Sequence, residues 1–159
     1  MRKILNPLKN TANGNCFGCS QENANGLQME FFEDGENVIC NWKPKQHFAG
    51  FNNVLHGGIQ TTLMDEIACW VVFTKLGTSG VTTSLNAKFN STVFTDRGNI
   101  TIKAKLIKQA RKIALIHTEI TDAEGNICTE AEVEYRIFPA ELAKKRLAYP
   151  GVETFFDAE

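Results

Sequence analysis

Between His56 and Asp65 the chain carries a histidine, two consecutive glycines and, seven residues after the second glycine, a carboxylate. Gly57 and Gly58 have no side chains, so a ligand or another backbone can approach them closely. If a helix begins there, its first amides are free and its dipole favours negative charge, which suits the charge that develops on a carbonyl oxygen under attack. A tight turn with close helix packing is the plainer reading of the same pair. His56 could orient a carbonyl, act as acid or base, or cap the helix. Asp65 lies about two turns into such a helix, beyond the first turn where acids serve as caps. Neither Asp65 nor Glu66 has a local counter-charge, because no Lys or Arg occurs between Lys45 and Lys75. An unpaired carboxylate in an apolar setting costs several kcal/mol or shifts its pKa. Asp65 is therefore either a functional group or a structural carboxylate that bonds backbone or pairs with a distant Lys or Arg across an interface. Glu66, about 100° further round the helix, is expected to be structural.

Other reactive residues offer weaker patterns. His47 and His117 have no acidic or nucleophilic neighbours in a recognisable arrangement. Cys16-Phe17-Gly18-Cys19 has zinc or redox spacing, but the sequence supplies no second such pair and no histidine pair to complete a tetrahedron. The expectation is a small-residue loop with buried thiols and no metal site. Neither a Walker loop nor a dinucleotide glycine fingerprint is present.

The elements that must position these groups follow from periodicity. In 159 residues a single domain can bury a real core. Over His56 to Thr74, Ile59, Leu63, Ile67, Trp70 and Val71 recur at helical spacing while Ala68, Cys69, Val72 and Phe73 make the other faces nearly as apolar, so the helix is expected to be buried all round. Residues 1–26 lack a sustained period and read as an arm or loop laid over the body. Leu27, Met29 and Phe31, then Val38, Cys40 and Trp42, alternate about an Asp34-Gly35 turn and read as a hairpin. Four further strands follow the helix. Leu85, Ala87, Phe89 and Val93 are expected on one face of the first; Ile100, Ile102, Ala104 and Leu106 on the second; Ala114, Ile116, Thr118 and Ile120 on the third; Thr129, Ala131, Val133, Tyr135 and Ile137 on the last. Residues 140–159 read as a short helix and tail, leaving 27–139 as the domain proper. About six strands and one long helix predict an α+β fold, a curved antiparallel sheet wrapped around a central helix. Its edges and outer helix surface would be completed by a second copy.

A net charge of −1 gives no basic footprint for nucleic acid or anionic membrane. Apolar runs fall short of the roughly 20 residues of a membrane span, and the start, MRKILNPLKN, lacks the apolar core of a signal peptide. Five cysteines, an odd number, suit packed reduced thiols, and a cytoplasmic protein is expected.

The segment FAGFNNVLHGGIQTTLMDE resembles the motif that opens the central helix of hotdog-fold acyl-coenzyme A thioesterases of the phenylacetic-acid-degradation type. CFGCSQENANGLQMEF is similar to an N-terminal segment of one branch of that family, and residues 81–138 follow its four-strand pattern. The resemblance implies a homodimer or dimer of dimers with sites at the subunit interface. It implies that the Gly57 amide polarises a thioester carbonyl while Asp65 activates water or attacks directly, with no cofactor. It points to Thr82 or Thr83 for positioning that water and to Gly58, beside Gly57, for substrate contact. Many relatives carry Asn or Gln where this chain has Gly50, so Asn52, Asn53 or Gln46 would have to substitute. Phe48, Phe51 or Trp70 would line an acyl slot, and Lys88, Lys108, Arg111 and Lys112 are candidates for the coenzyme's phosphates. A non-catalytic acyl-coenzyme A or lipid-binding protein is the alternative. A hotdog dehydratase or hydratase fits the Asp65 spacing less well.

Overall fold

A computed structural model describes residues 1–158. Seven strands, β1 (Arg2–Ile4), β2 (Phe31–Asp34), β3 (Asn37–Trp42), β4 (Gly80–Phe89), β5 (Ile100–Ala110), β6 (Ile113–Thr121) and β7 (Ile127–Ile137), form one antiparallel sheet. Their order is β1-β2-β3-β5-β6-β7-β4. The helix α1 (Gly57–Lys75) lies across strands β3 to β7. A second helix, α2 (Ala140–Leu147), follows Pro139.

The period-two residues meet the helix as expected on three strands. Ile100, Ile102 and Ala104 on β5, Ala114, Ile116, Thr118 and Ile120 on β6, and Thr129, Ala131, Val133, Tyr135 and Ile137 on β7 are all buried. Against them α1 packs Leu63, Met64, Ile67, Ala68, Val71 and Val72. No helix is long and apolar enough to cross a membrane among the described residues.

Three expectations change. Residues 2–4 are not part of a loop but a strand, pairing Arg2 with Glu33 and Ile4 with Phe31, which gives the seventh strand. The expected inward face of β4 is only half realised: Leu85 and Ala87 are half-buried, Phe89 is 52% exposed, and Val93, though buried, lies beyond the strand's end. The reason is position, since β4 is the sheet's edge and has β7 on one side only. Finally, the second half of α1 is not left for a partner to cover. The chain's own ends cover it: Phe155 packs against Trp70 and Phe73 with ring centroids 5.5 Å away in each case, and the Tyr149 hydroxyl donates to the Phe73 carbonyl at 2.8 Å. The two ends also hold each other, the Leu5 amide donating to the Phe155 carbonyl at 2.8 Å. What remains open is the first half of α1 where it faces β4.

Candidate active site

The start of α1 is shaped by how His56 disposes of orphan amides. Its carbonyl accepts from Ile59 and Gln60 at 3.0 and 3.1 Å, and its Nδ1 accepts from the Gly58 amide at 2.8 Å. An accepting Nδ1 places the proton of the neutral ring on Nε2. A Cβ on Gly58 would stand 3.0 Å from that Nδ1, so the glycine there makes room for the cap. Of the first four amides of the helix, only that of Gly57 has no hydrogen-bond partner among the described residues. His56 is thus a cap, and its capping leaves one donor for a ligand. A cavity of about 480 Å³ opens here, lined by Gly50, Phe51, His56, Gly57, Gln60 and Phe89 among others.

Two turns along, half-buried Asp65 faces β4. Its Oδ1 accepts from Thr82 Oγ1 at 2.7 Å and from the Tyr135 hydroxyl at 2.9 Å. That hydroxyl also lies 3.0 Å from the Asp65 carbonyl. Burial, followed by the nearby charges of Cys69 and Asp65, pushes the Tyr135 pKa up, so the phenol stays a donor. Oδ2 has no partner among the described residues and is free to meet a water or a substrate. Register explains the pairing, because Thr82 and Tyr135 are direct cross-strand partners on β4 and β7.

A sequence profile of the thioesterase superfamily matches residues 52–129, which span both the glycine pair and the carboxylate. Over 95 residues the chain is 29% identical to acyl-coenzyme A thioesterase 13 of Homo sapiens, covering 58% of this chain and 67% of that protein. Both likenesses are to thioesterases. A thioesterase from Haemophilus influenzae superposes with a TM-score of 0.67 at 21% identity, over 77% of this chain and 86% of that one. A hypothetical thioesterase protein with coenzyme A from Streptococcus pneumoniae gives 0.65 at 25% identity, over 70% and 90%. The fold is the hotdog fold, and the protein is a thioester hydrolase.

Not every expected residue reaches the thioesterase's carboxylate. Thr83 sits at a β-bulge between Thr82 and Ser84 and donates to Glu134 Oε1 at 2.8 Å, away from Asp65. Asn53 and Gln46 bond each other at 3.1 Å, and Gln46 also accepts from Thr95 at 2.8 Å, so both amides brace their own loop. Asn52 is exposed. Lys88 pairs in register with Glu130 towards the end of β4, whereas Arg111 and Lys112 occupy the β5–β6 turn, near the Gly80 end. One protomer does not bring the three cations together. Alternation marks Tyr135 only as an inward residue, and its hydroxyl contact needs the register to be seen.

Glu66 is the neighbour that faces the other way. Trp70 Nε1 donates to its Oε1 at 3.1 Å, and Cys16 Sγ lies 3.5 and 3.7 Å from its two oxygens. Burial, then the charge of Cys16, pushes its pKa up to about 7. No ion pair reaches it among the described residues.

Proposed function

We propose that the protein hydrolyses acyl-coenzyme A thioesters to free acid and coenzyme A, with Asp65 as general base or nucleophile and the Gly57 amide as the oxyanion donor. The observation that carries this reading is the hydroxyl-braced carboxylate with one free oxygen, on a helix whose first amide has no partner. As a base, Asp65 takes a proton from water while the water oxygen bonds to the thioester carbon; the C–S bond then breaks and the thiolate collects a proton. As a nucleophile, Asp65 attacks the thioester carbon and the C–S bond breaks to expel the thiolate, which collects a proton; water then cleaves the resulting anhydride to the free acid and the restored carboxylate. Either route needs one oriented carboxylate and one oxyanion donor, and no cofactor.

Eight residues separate Gly57 from Asp65, about 12 Å along the helix axis at 1.5 Å per residue. That span favours a site made by Gly57 of one protomer and Asp65 of its partner, in a homodimer or dimer of dimers. The open β4 edge supports the same assembly, with Val81 and Phe89 exposed along it. So does the separation of Lys88 from Arg111 and Lys112, which a second subunit could bring onto one coenzyme. The names of the human and streptococcal relatives support coenzyme A as the carrier. The N-terminal CFGC segment supports the phenylacetic-acid-degradation branch, and five unpaired cysteines suit a reducing, cytoplasmic setting.

Gly50 favours one other reading, a protein that binds acyl-coenzyme A without cleaving it, because no amide side chain stands there and Asn53 and Gln46 are committed to each other. A panel of short, long and aromatic acyl-coenzyme A esters, assayed for thiol release with calorimetric binding in parallel, decides between them. Release with saturable binding is expected. Tight binding without release would overturn hydrolysis in favour of the binding protein.

A further inference from the structure

Cys16 and Cys19 lie far from Glu66 in sequence and none of the three takes part in the proposed hydrolysis, yet their donor atoms all lie within 4.8 Å of one another. The separations are those of ligands sharing one small ion. Around a tetrahedral zinc, with Zn–S of about 2.3 Å and Zn–O of about 2.0–2.2 Å, a sulfur and an oxygen stand about 3.5 Å apart. Cys16 Sγ is 3.5 Å from Glu66 Oε1 and 3.7 Å from Oε2.

The loop is built to hold this arrangement. A Cβ on Gly18 would come within 2.5 Å of the Glu66 carboxylate carbon and Oε2, so any side chain there would displace that carboxylate. The loop is tied down by Leu27 and Met29, whose amides donate to the Phe17 and Gly18 carbonyls at 2.7 and 2.9 Å, and by Asn6, whose side chain donates to the Cys19 carbonyl at 3.0 Å. Trp70 orients the carboxylate from behind, as outer groups do for metal ligands. A disulfide between the two cysteines would need neither Glu66 nor the glycine above it. A cavity of about 380 Å³ touches all three donors, leaving room for water at a fourth position.

We propose that Cys16, Cys19 and Glu66 bind one zinc-class divalent cation, which staples the N-terminal loop to α1 beside Asp65. Two thiolates select a borderline-soft ion over magnesium or calcium, and binding releases the thiol protons. The cation supplies the positive charge that the sequence lacks around Glu66 and takes no part in thioester cleavage.

The test uses the full chain, reduced without added thiol, stripped by a chelator and titrated with Co(II), then Zn(II). One equivalent of cobalt should bind, with thiolate-to-metal charge-transfer absorption sized for two thiolates and visible bands of tetrahedral intensity, both bleached by zinc. The Cys16→Ser/Cys19→Ser double variant should lose the absorption. Glu66→Gln should keep thiolate absorption but bind at least ~10-fold more weakly, the lower end of what even outer-shell changes cost. The wild-type spectrum needs no variant, so a variant that fails to fold leaves the test intact. Absence of stoichiometric binding by the reduced wild type would overturn the site, as would a band that survives in the double-serine variant or undiminished affinity in Glu66→Gln.

Discussion

Asp65 and Glu66 are adjacent on one helix, carry the same functional group and live in opposite surroundings. Asp65 looks toward an edge strand, takes two hydroxyl donors on one oxygen and keeps the other free. Glu66 looks toward the N-terminal loop and is enclosed by Cys16, Gly18 and Trp70. A rotation of about 100° thus separates a carboxylate braced by two hydroxyls beside an edge strand from one turned onto a loop and its two thiols. The helix hydrophobicity that made both acids look alike is uninformative here, because what differs is the tertiary element each one faces. Environment, and not residue type, sets the job of a carboxylate.

The largest loss is expected at the oxyanion donor that Asp65 is proposed to work with. A Cβ at Gly57 would meet nothing closer than the Phe89 ring at 3.5 Å, so Gly57→Val should fold. Its branched side chain would obstruct the free amide, and turnover should fall by about 10²-fold in a steady-state thiol-release assay. Normal turnover in the folded variant would remove that amide from the chemistry.

A smaller effect is expected from the hydroxyls that make Asp65's setting unlike that of Glu66. Thr82→Val and Tyr135→Phe should each lower kcat by roughly 10-fold with KM nearly unchanged, since they position the carboxylate without binding the acyl chain. Tyr135→Phe should also cost about 1 kcal/mol in denaturant unfolding, the usual scale for a lost internal hydrogen bond. Thr83→Val serves as the contrast on the other side of the bulge and should leave kcat within about twofold of wild type, because its partner is Glu134. A Thr83 effect equal to that of Thr82 would contradict the observed phase of β4.

The smallest effect sharpens the Glu66 side. Its folded pKa of about 7 lies above the ordinary 4.5, so the fold prefers the protonated acid. The stability this contributes is fully present below the unfolded value and is lost as pH rises through the folded one. In chelator, metal-free wild type should therefore weaken between roughly pH 4.5 and 7 relative to Glu66→Gln. By pH 8 the variant should be the more stable by about 1–2 kcal/mol, read from thermal melts at a series of pH values. A wild-type advantage at pH 8 in chelator would mean that ionised Glu66 has a partner in the fold.

Much of this architecture was legible in the sequence because periodicity is local. The apolar pattern of 56–74 marks α1, and alternation marks the inward faces of β5, β6 and β7, with Leu106, at the β5 register shift, only half-buried. What was not legible depends on pairing between distant segments. Alternation along β4 cannot say that the strand is an edge, so Phe89 looked like core. It cannot locate a bulge either, so Thr82 and Thr83 remained interchangeable until register put Thr82 opposite Tyr135. The contact between Glu66 and the CFGC loop spans 50 residues, and the packing of Phe155 on Trp70 crosses 85, distances over which no pattern of spacing reports. The glycine pair and Asp65 stood out because their chemistry was unusual for a buried helix, whereas Tyr135 was hidden among residues that simply face inward.

Asp65 is the group on which hydrolysis depends, and Asp65→Asn removes its charge alone. Asparagine keeps the volume and the oxygen that accepts from Thr82 and Tyr135, and removes the charge that a base or nucleophile requires. Turnover of an acyl-coenzyme A ester that wild type cleaves should fall by ~10²-fold or more, while the melting temperature holds or rises because no cation is left stranded. Substantial remaining activity together with a clearly lowered melting temperature would show a structural carboxylate and contradict the assignment.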